Sequence, residues 1–154
     1  MDHIEQRLAK QPFLAGLPAN LIQSLASAAK QIQVEAGQFA CHEGDPADSF
    51  FLIEEGRVAL QISSPGRGTA TFQTIGAGEV FGAAWLCAPY RWTYDARALQ
   101  NTTAIAIDAV KMREKILNDH DLGYELAKRF LPVLIDRLHG ARLQLLDIYG
   151  RHAR

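Results

Sequence analysis

The chain has 154 residues, a length that suits one domain and allows a sizeable core. It is 48% hydrophobic and 21% charged, and 16 Lys and Arg against 17 Asp and Glu leave a formal net charge of −1. That balance excludes an intrinsically disordered chain and a global basic field for nucleic acid. Cys41 and Cys87 are too few for a disulfide scaffold, and no secretion signal or membrane-length apolar run is present. A cytoplasmic protein with no membrane partner is expected.

Residues 4–30 read as helical. Leu21, Ile22, Leu25, Ala26 and Ala29 recur at three- and four-residue spacing, and Pro18 suits a helix's first turn. From about 31 to 107 the period becomes two. Val58, Leu60 and Ile62 alternate with Ala59 and Gln61, Ile105 and Ile107 alternate with Ala104 and Ala106, and Ser49 to Ile53 is a short apolar run. Turn signals separate these runs: Gly37, Gly44-Asp45-Pro46, Glu55-Gly56, Ser64-Pro65-Gly66 and Gly76-Ala77-Gly78. Short strands at this spacing predict a β-sandwich or barrel.

The helical period then returns. Asp108 and Asp121 are the expected N-caps of a short and a long helix. Within 121–149, Ala127, Leu131, Leu134, Leu138, Ala141, Leu145 and Ile148 alternate four- and three-residue steps, the pattern of a heptad seam. A second stripe, Leu126, Phe130 and Val133, lies beside it. Either one stripe packs on the β-domain while the other meets a second copy in a homodimer, or both pack within the same chain. Pro132 removes one backbone donor and predicts a bend. With no internal repeat or linker, residues 1–154 read as a single domain, with 121–149 as its dimerisation helix.

No catalytic constellation is found: the nucleophile-elbow, zincin and P-loop patterns are absent. No cysteine or histidine pair has metal-ligand spacing, and adjacent Cys41 and His42 on a strand would face opposite ways. Neither an enzyme nor a metal protein is expected. Glu54-Glu55 reads as a solvated corner. The segment 78–98 is more informative. Gly82 to Leu86 can form one helical turn after Phe81, presenting unpaired N–H groups to an anion. Arg91 could add a guanidinium fork. Trp85, Tyr90, Trp92 and Tyr94 could stack on a planar ligand or fill a core.

From Phe13 to Tyr149 the chain resembles a cyclic nucleotide-binding domain of the catabolite activator type. The resemblance is carried by Leu14-x-x-Leu17-Pro18, Ala36-Gly37-Gln38, Glu43-Gly44-Asp45, Phe50 to Val58 and Ile75 to Gly82. It implies an α+β fold: a double-stranded β-helix, or jelly-roll β-roll, with an N-terminal helical segment and two C-terminal helices, the second often a dimer seam. It also implies a phosphate-binding cassette for cyclic AMP or cyclic GMP. There the family places a glutamate on the ribose 2′-hydroxyl and an arginine on the cyclic phosphate. Here Ala83 stands at the glutamate position and Trp92 at the arginine position, with Arg91 one residue early. Each lost charge-assisted hydrogen bond costs roughly 1.5–3 kcal/mol, so nucleotide binding should be weak or altered. The residues expected at the ligand are Phe81, Gly82, Ala83, Ala84, Trp85, Arg91, Trp92, Thr93 and Tyr94. Those expected at the seam are Leu131, Leu134, Leu138, Ala141, Leu145 and Ile148. Only four residues follow Gly150, so no DNA-reading helix is expected. The leading expectation is a regulatory domain that senses a small anionic ligand and signals to a partner protein. The alternative is a ligand-free interaction module with a degenerate pocket.

Overall fold

The protein, a computed structural model, is described over residues 3–152, with side chains over 4–143. The N-terminal segment is not one helix but three short pieces: α1 (His3–Ala9), a 3-10 turn (Pro12–Leu14) and α2 (Ala19–Ala26). Proline explains the breaks: Pro12 opens the 3-10 turn, and Pro18 stands immediately ahead of α2. α2 buries Leu21, Ile22 and Leu25, the stripe that its spacing predicts.

Eight strands follow: β1 (Ala29–Val34), β2 (Phe39–Cys41), β3 (Ser49–Glu55), β4 (Arg57–Ser64), β5 (Gly68–Gly76), β6 (Val80–Phe81), β7 (Asp95–Ala98) and β8 (Thr102–Asp108). They form two four-stranded sheets, ordered β1-β8-β3-β6 and β2-β7-β4-β5, and the strand pairs are antiparallel. The fold is therefore α+β, a jelly roll flanked by helices at both ends of the chain. Its interior holds Phe50, Leu52, Ile53, Leu60, Ile75, Ile105 and Ile107, all below 2% exposed.

Two helices close the chain: α3 (Ala109–Asn118) and α4 (His120–His152). The Asp108 carboxylate accepts from the Lys111 N–H, as expected of an N-cap. At α4 the cap is Asp119 rather than Asp121: the Asp119 carboxylate accepts from the Leu122 N–H at 3.1 Å. α4 continues through Pro132. Its Leu126 and Phe130 are buried, and Phe130 meets Phe13, Phe50 and Trp85 edge-on. The second stripe is thus the one that docks α4 on the roll. Glu54 is no solvated corner, because Arg7 of α1 forks onto it and ties that helix to β3. As expected, Cys41 is buried and His42 exposed.

Candidate functional site

The site grows from the break between β6 and β7. Gly82 ends β6 with φ +110°, a left-handed conformation that glycine adopts without a Cβ clash. A Cβ there would stand 2.7 Å from the Trp92 ring and 3.1 Å from the Phe50 backbone. The left-handed step turns the chain into the expected single helical turn, a 3-10 turn over Ala83–Leu86. That turn drives Trp85 inward, where it is fully buried and stacks on Phe50 at 5.1 Å.

The rest of the cassette is pinned to the loop between β2 and β3. Gly44 N–H donates to Trp92 O, Ala47 N–H to Tyr90 O and Trp92 N–H to Asp45 O. Arg113 of α3 adds a clamp: its Nη1 donates to the Ala47 and Trp85 carbonyls, and its guanidinium lies 4.4 Å over the Tyr90 ring. Trp92 is 5% exposed and stacks against Phe51, with Phe81 and Tyr94 beside it. Tyr94 Oη accepts from the Gly82 N–H at 3.1 Å, and burial pushes the phenol up from its ordinary pKa.

A cavity of about 410 Å³ opens beside this turn, within the ~300–1,000 Å³ typical of ligand pockets. Ile62 of β4 and Phe72 of β5 form one wall, and Gly82, Ala83, Ala84, Cys87, Thr93 and Tyr94 form the cassette side. Val133, Leu134, Arg137, Leu138 and Ala141 of α4 form the roof. Gly140 lets that roof sit close: a Cβ there would stand 3.2 Å from the Phe72 carbonyl. Beside it, Gln73 Nε2 donates to the Asp136 carboxylate at 2.5 Å. A larger groove of about 600 Å³ lies away from the cassette, where Lys30 and Lys111 mix with Asp48 and Asp108. Among the described residues no cluster suited to a metal ion is found.

The expected ligand residues therefore separate into three groups. Gly82, Ala83, Ala84, Thr93 and Tyr94 line the cavity. Phe81, Trp85 and Trp92 belong to the core instead, because the aromatic rings find each other rather than a ligand. Arg91 is exposed and turned to the neighbouring loop, where its Nη1 donates to the Gly44 carbonyl at 3.0 Å. The bridge between Pro46 and Arg91 fixes the backbone in that direction. Among the expected seam residues, Leu134, Leu138 and Ala141 line the cavity roof, while Leu131 is exposed outside it. Leu145 and Ile148 lie outside the residues whose side chains are described.

Arg137 was not singled out by the sequence reading. Its side chain is 11% exposed, its Nη2 donates to the Val80 carbonyl at 2.6 Å, and its Nη1 meets the Asp136 carboxylate at 3.2 Å. Its Nε is buried with no partner among the described residues. The one signal in the sequence is its place four residues after Val133, on the stripe that faces the roll.

Residues 31–119, more than half of the chain, match the cyclic nucleotide-binding domain family. A CRP-like cAMP-activated global transcriptional regulator of Mycobacterium tuberculosis is 24% identical over 148 residues, covering 96% of this chain and 63% of that protein. Glutaminase 1 of Bradyrhizobium diazoefficiens is 30% identical over 138 residues, 88% of this chain and 21% of that protein. This chain spans less than two thirds of the length of the curated relatives it matches. A solved Geobacter metallireducens structure named for cyclic nucleotide binding aligns at TM-score 0.78 with 28% identity, covering 88% of this chain and 98% of that one. Thermus thermophilus catabolite activator protein shares the fold at TM-score 0.68 and 23% identity, over 90% of this chain and 63% of that one. With the matched segment running from β1 to the end of α3, and so through the whole cassette, the chain belongs to the cyclic nucleotide-binding domain family.

Proposed function

We propose that this domain senses a small molecule held between the cassette and α4, and reports it through α4. The observation that carries this reading is the cavity itself, whose walls come from both the roll and the helix. A ligand there touches both bodies, so it biases any equilibrium between helix positions that differ in affinity for it. Catalysis forms no part of this reading, and the two free cysteines suit a reducing, cytoplasmic setting.

The family's two polar contacts are replaced. Ala83 offers no carboxylate, and Trp92 fills the core where the arginine would reach the phosphate. Cyclic AMP and cyclic GMP should therefore bind weakly, by about 3–6 kcal/mol less than with both contacts made. The outward face of α4 is the proposed homodimer seam. Leu131 and Ile135 are 58% and 66% exposed there, and Leu134 and Leu138, which also roof the cavity, remain 46% and 59% exposed beside them, an apolar stripe at helical spacing that a second copy would cover. One observation favours the ligand-free alternative: the cassette's own tryptophans are buried. In that case the stripe alone is the functional surface.

A thermal-shift titration with cyclic nucleotides and a panel of small metabolites, run on the wild type and on Ala141→Trp, separates the two readings. Ala141 is exposed and lines the roof, so the indole fills the cavity without entering the core. A saturable stabilisation of the wild type that Ala141→Trp loses supports a sensor. Ligand at a hundred times its dissociation constant should add about 2.7 kcal/mol. Equal, flat responses of both proteins throughout the panel favour the interaction module.

A further inference from the structure

We propose that the ligand of this cavity is an apolar-bodied monocarboxylate and that Arg137 holds its charge. This rests on the sensing role proposed above and names its ligand class.

The walls set the body. Ile62, Phe72, Val133 and Leu138 present carbon, and among the described residues no acidic side chain lines the cavity. A ribose with a purine presents more hydroxyls and ring nitrogens than the Thr93 and Tyr94 hydroxyls of the lining can pair, and each one left unpaired is costly. An alkyl chain or an aromatic ring leaves nothing unpaired.

Arg137 sets the head group. Among the described residues it is the one cation that lines the cavity. The guanidinium is nearly buried, yet its donors are not used up. Nη2 serves the Val80 carbonyl and Nη1 the Asp136 carboxylate, while Nε is buried with no partner among the described residues. Asp136 is 58% exposed, so its pairing is largely screened by solvent. Nη1 and Nη2 each carry a second N–H beyond these bonds, so donors remain for a ligand. A carboxylate supplies the planar acceptor pair that a guanidinium fork matches. One cation also balances one charge, so a doubly charged phosphate monoester would bring an uncompensated anion into an apolar site. Tyr94 Oη already accepts from Gly82, which leaves its proton free to donate.

Cys87 gives a built-in reporter, because it lines the cavity and is exposed while Cys41 is buried. The experiment measures the rate of maleimide labelling at Cys87 in the full chain, with tryptophan fluorescence titration for affinity. The probes are octanoate and indole-3-acetate, their neutral partners 1-octanol and indole-3-ethanol, and cyclic AMP. Expected is protection of Cys87 by at least one carboxylate, bound about tenfold or more tighter than its alcohol, equivalent to about 1.4 kcal/mol. Which carboxylate wins tells an aliphatic from an aromatic body. Arg137→Met should erase the preference, the acid losing about tenfold or more affinity relative to its alcohol. Arg137→Lys keeps a charge without the fork and should retain a reduced preference, which decides the matter if the methionine variant fails to fold. Alcohols that bind as tightly as their acids, or cyclic AMP that binds tighter than both acids, overturn this inference while the sensing role stands. A Cys87 that no probe protects overturns both.

Discussion

In Gly82→Ala the new methyl group has nowhere to go. Its Cβ would stand 2.7 Å from the Trp92 ring and 3.1 Å from the Phe50 backbone. Trp92 cannot swing aside easily, since Phe51, Phe81 and Tyr94 surround it. Overpacking of this kind costs about 1–3 kcal/mol. The backbone adds its own term, because φ +110° is sparsely populated by residues with a side chain, at about 1–3 kcal/mol. The sum is about 4 kcal/mol. Gly66→Ala provides the control: it shares a positive φ of +78° but has nothing within 4 Å of the added Cβ, so it loses only about 1–2 kcal/mol of backbone strain. Urea unfolding followed by tryptophan fluorescence measures both variants, with m-values checking that the unfolded states match. Combining Gly82→Ala with Trp92→Leu should cost less than the sum of the single changes, by about 1 kcal/mol or more. A Gly82→Ala protein no less stable than Gly66→Ala would refute the argument that Trp92 and Gly82 define the cassette by mutual contact.

Trp85→Ala should destabilise the fold by about 3–5 kcal/mol, as for a buried core aromatic, whereas Arg91→Ala should stay within about 0.5 kcal/mol by urea melt and leave ligand affinity unchanged. Leu138→Asp places a charge in the proposed seam and should shift sedimentation velocity from dimer to monomer; an unchanged profile removes the seam. Stability should fall as pH rises above about 9, because burial raises the folded Cys41 thiol and Tyr94 phenol above their unfolded values, so the unfolded chain releases protons first. Each such proton contributes a slope of at most about 1.4 kcal/mol per pH unit, and Cys41→Ala should flatten the beginning of that alkaline limb in melts from pH 8 to 11.

The roll was legible because its instructions are local. Turn residues fall between the runs, and the period-two runs at 58–62 and 104–107 and the apolar run at 49–53 lie within β4, β8 and β3. Asp108 was legible for the same reason: a cap acts within three residues. The site was less so. Trp85, Trp92 and Arg91 occupy neighbouring positions in sequence, but their directions depend on contacts with residues of β3, the β2–β3 loop and α3. No local pattern says that one aromatic fills the core and the next cation faces water. The heptad reading of α4 was periodic but had no phase relative to the roll, so it could not show that Leu134 and Leu138 roof a cavity. Arg137 was hidden by that same ambiguity. Glycine is intrinsically unfavourable inside a helix, and at Gly140 the packing accounts for it, since a Cβ there would stand 3.2 Å from the Phe72 carbonyl.

The close approach at Gly140 also has a mechanical side. The small clearance at that position would serve as a fulcrum for an α4 that tilts as one body. From Gly140 to the end of α4 at His152, a rise of ~1.5 Å per residue gives an arm of about 18 Å. A tilt of about 10° there moves the tip by about 3 Å, roughly two residues of helical rise. Val133, Leu134 and Arg137 lie three to seven residues on the other side of that point, an arm of about 5–10 Å, so under the proposed sensing role an occupant that tilts the helix there would move its far end further than it moves the roof. Bulk at residue 140 would lift the helix off that fulcrum, and the leverage would be lost even with the cavity residues intact.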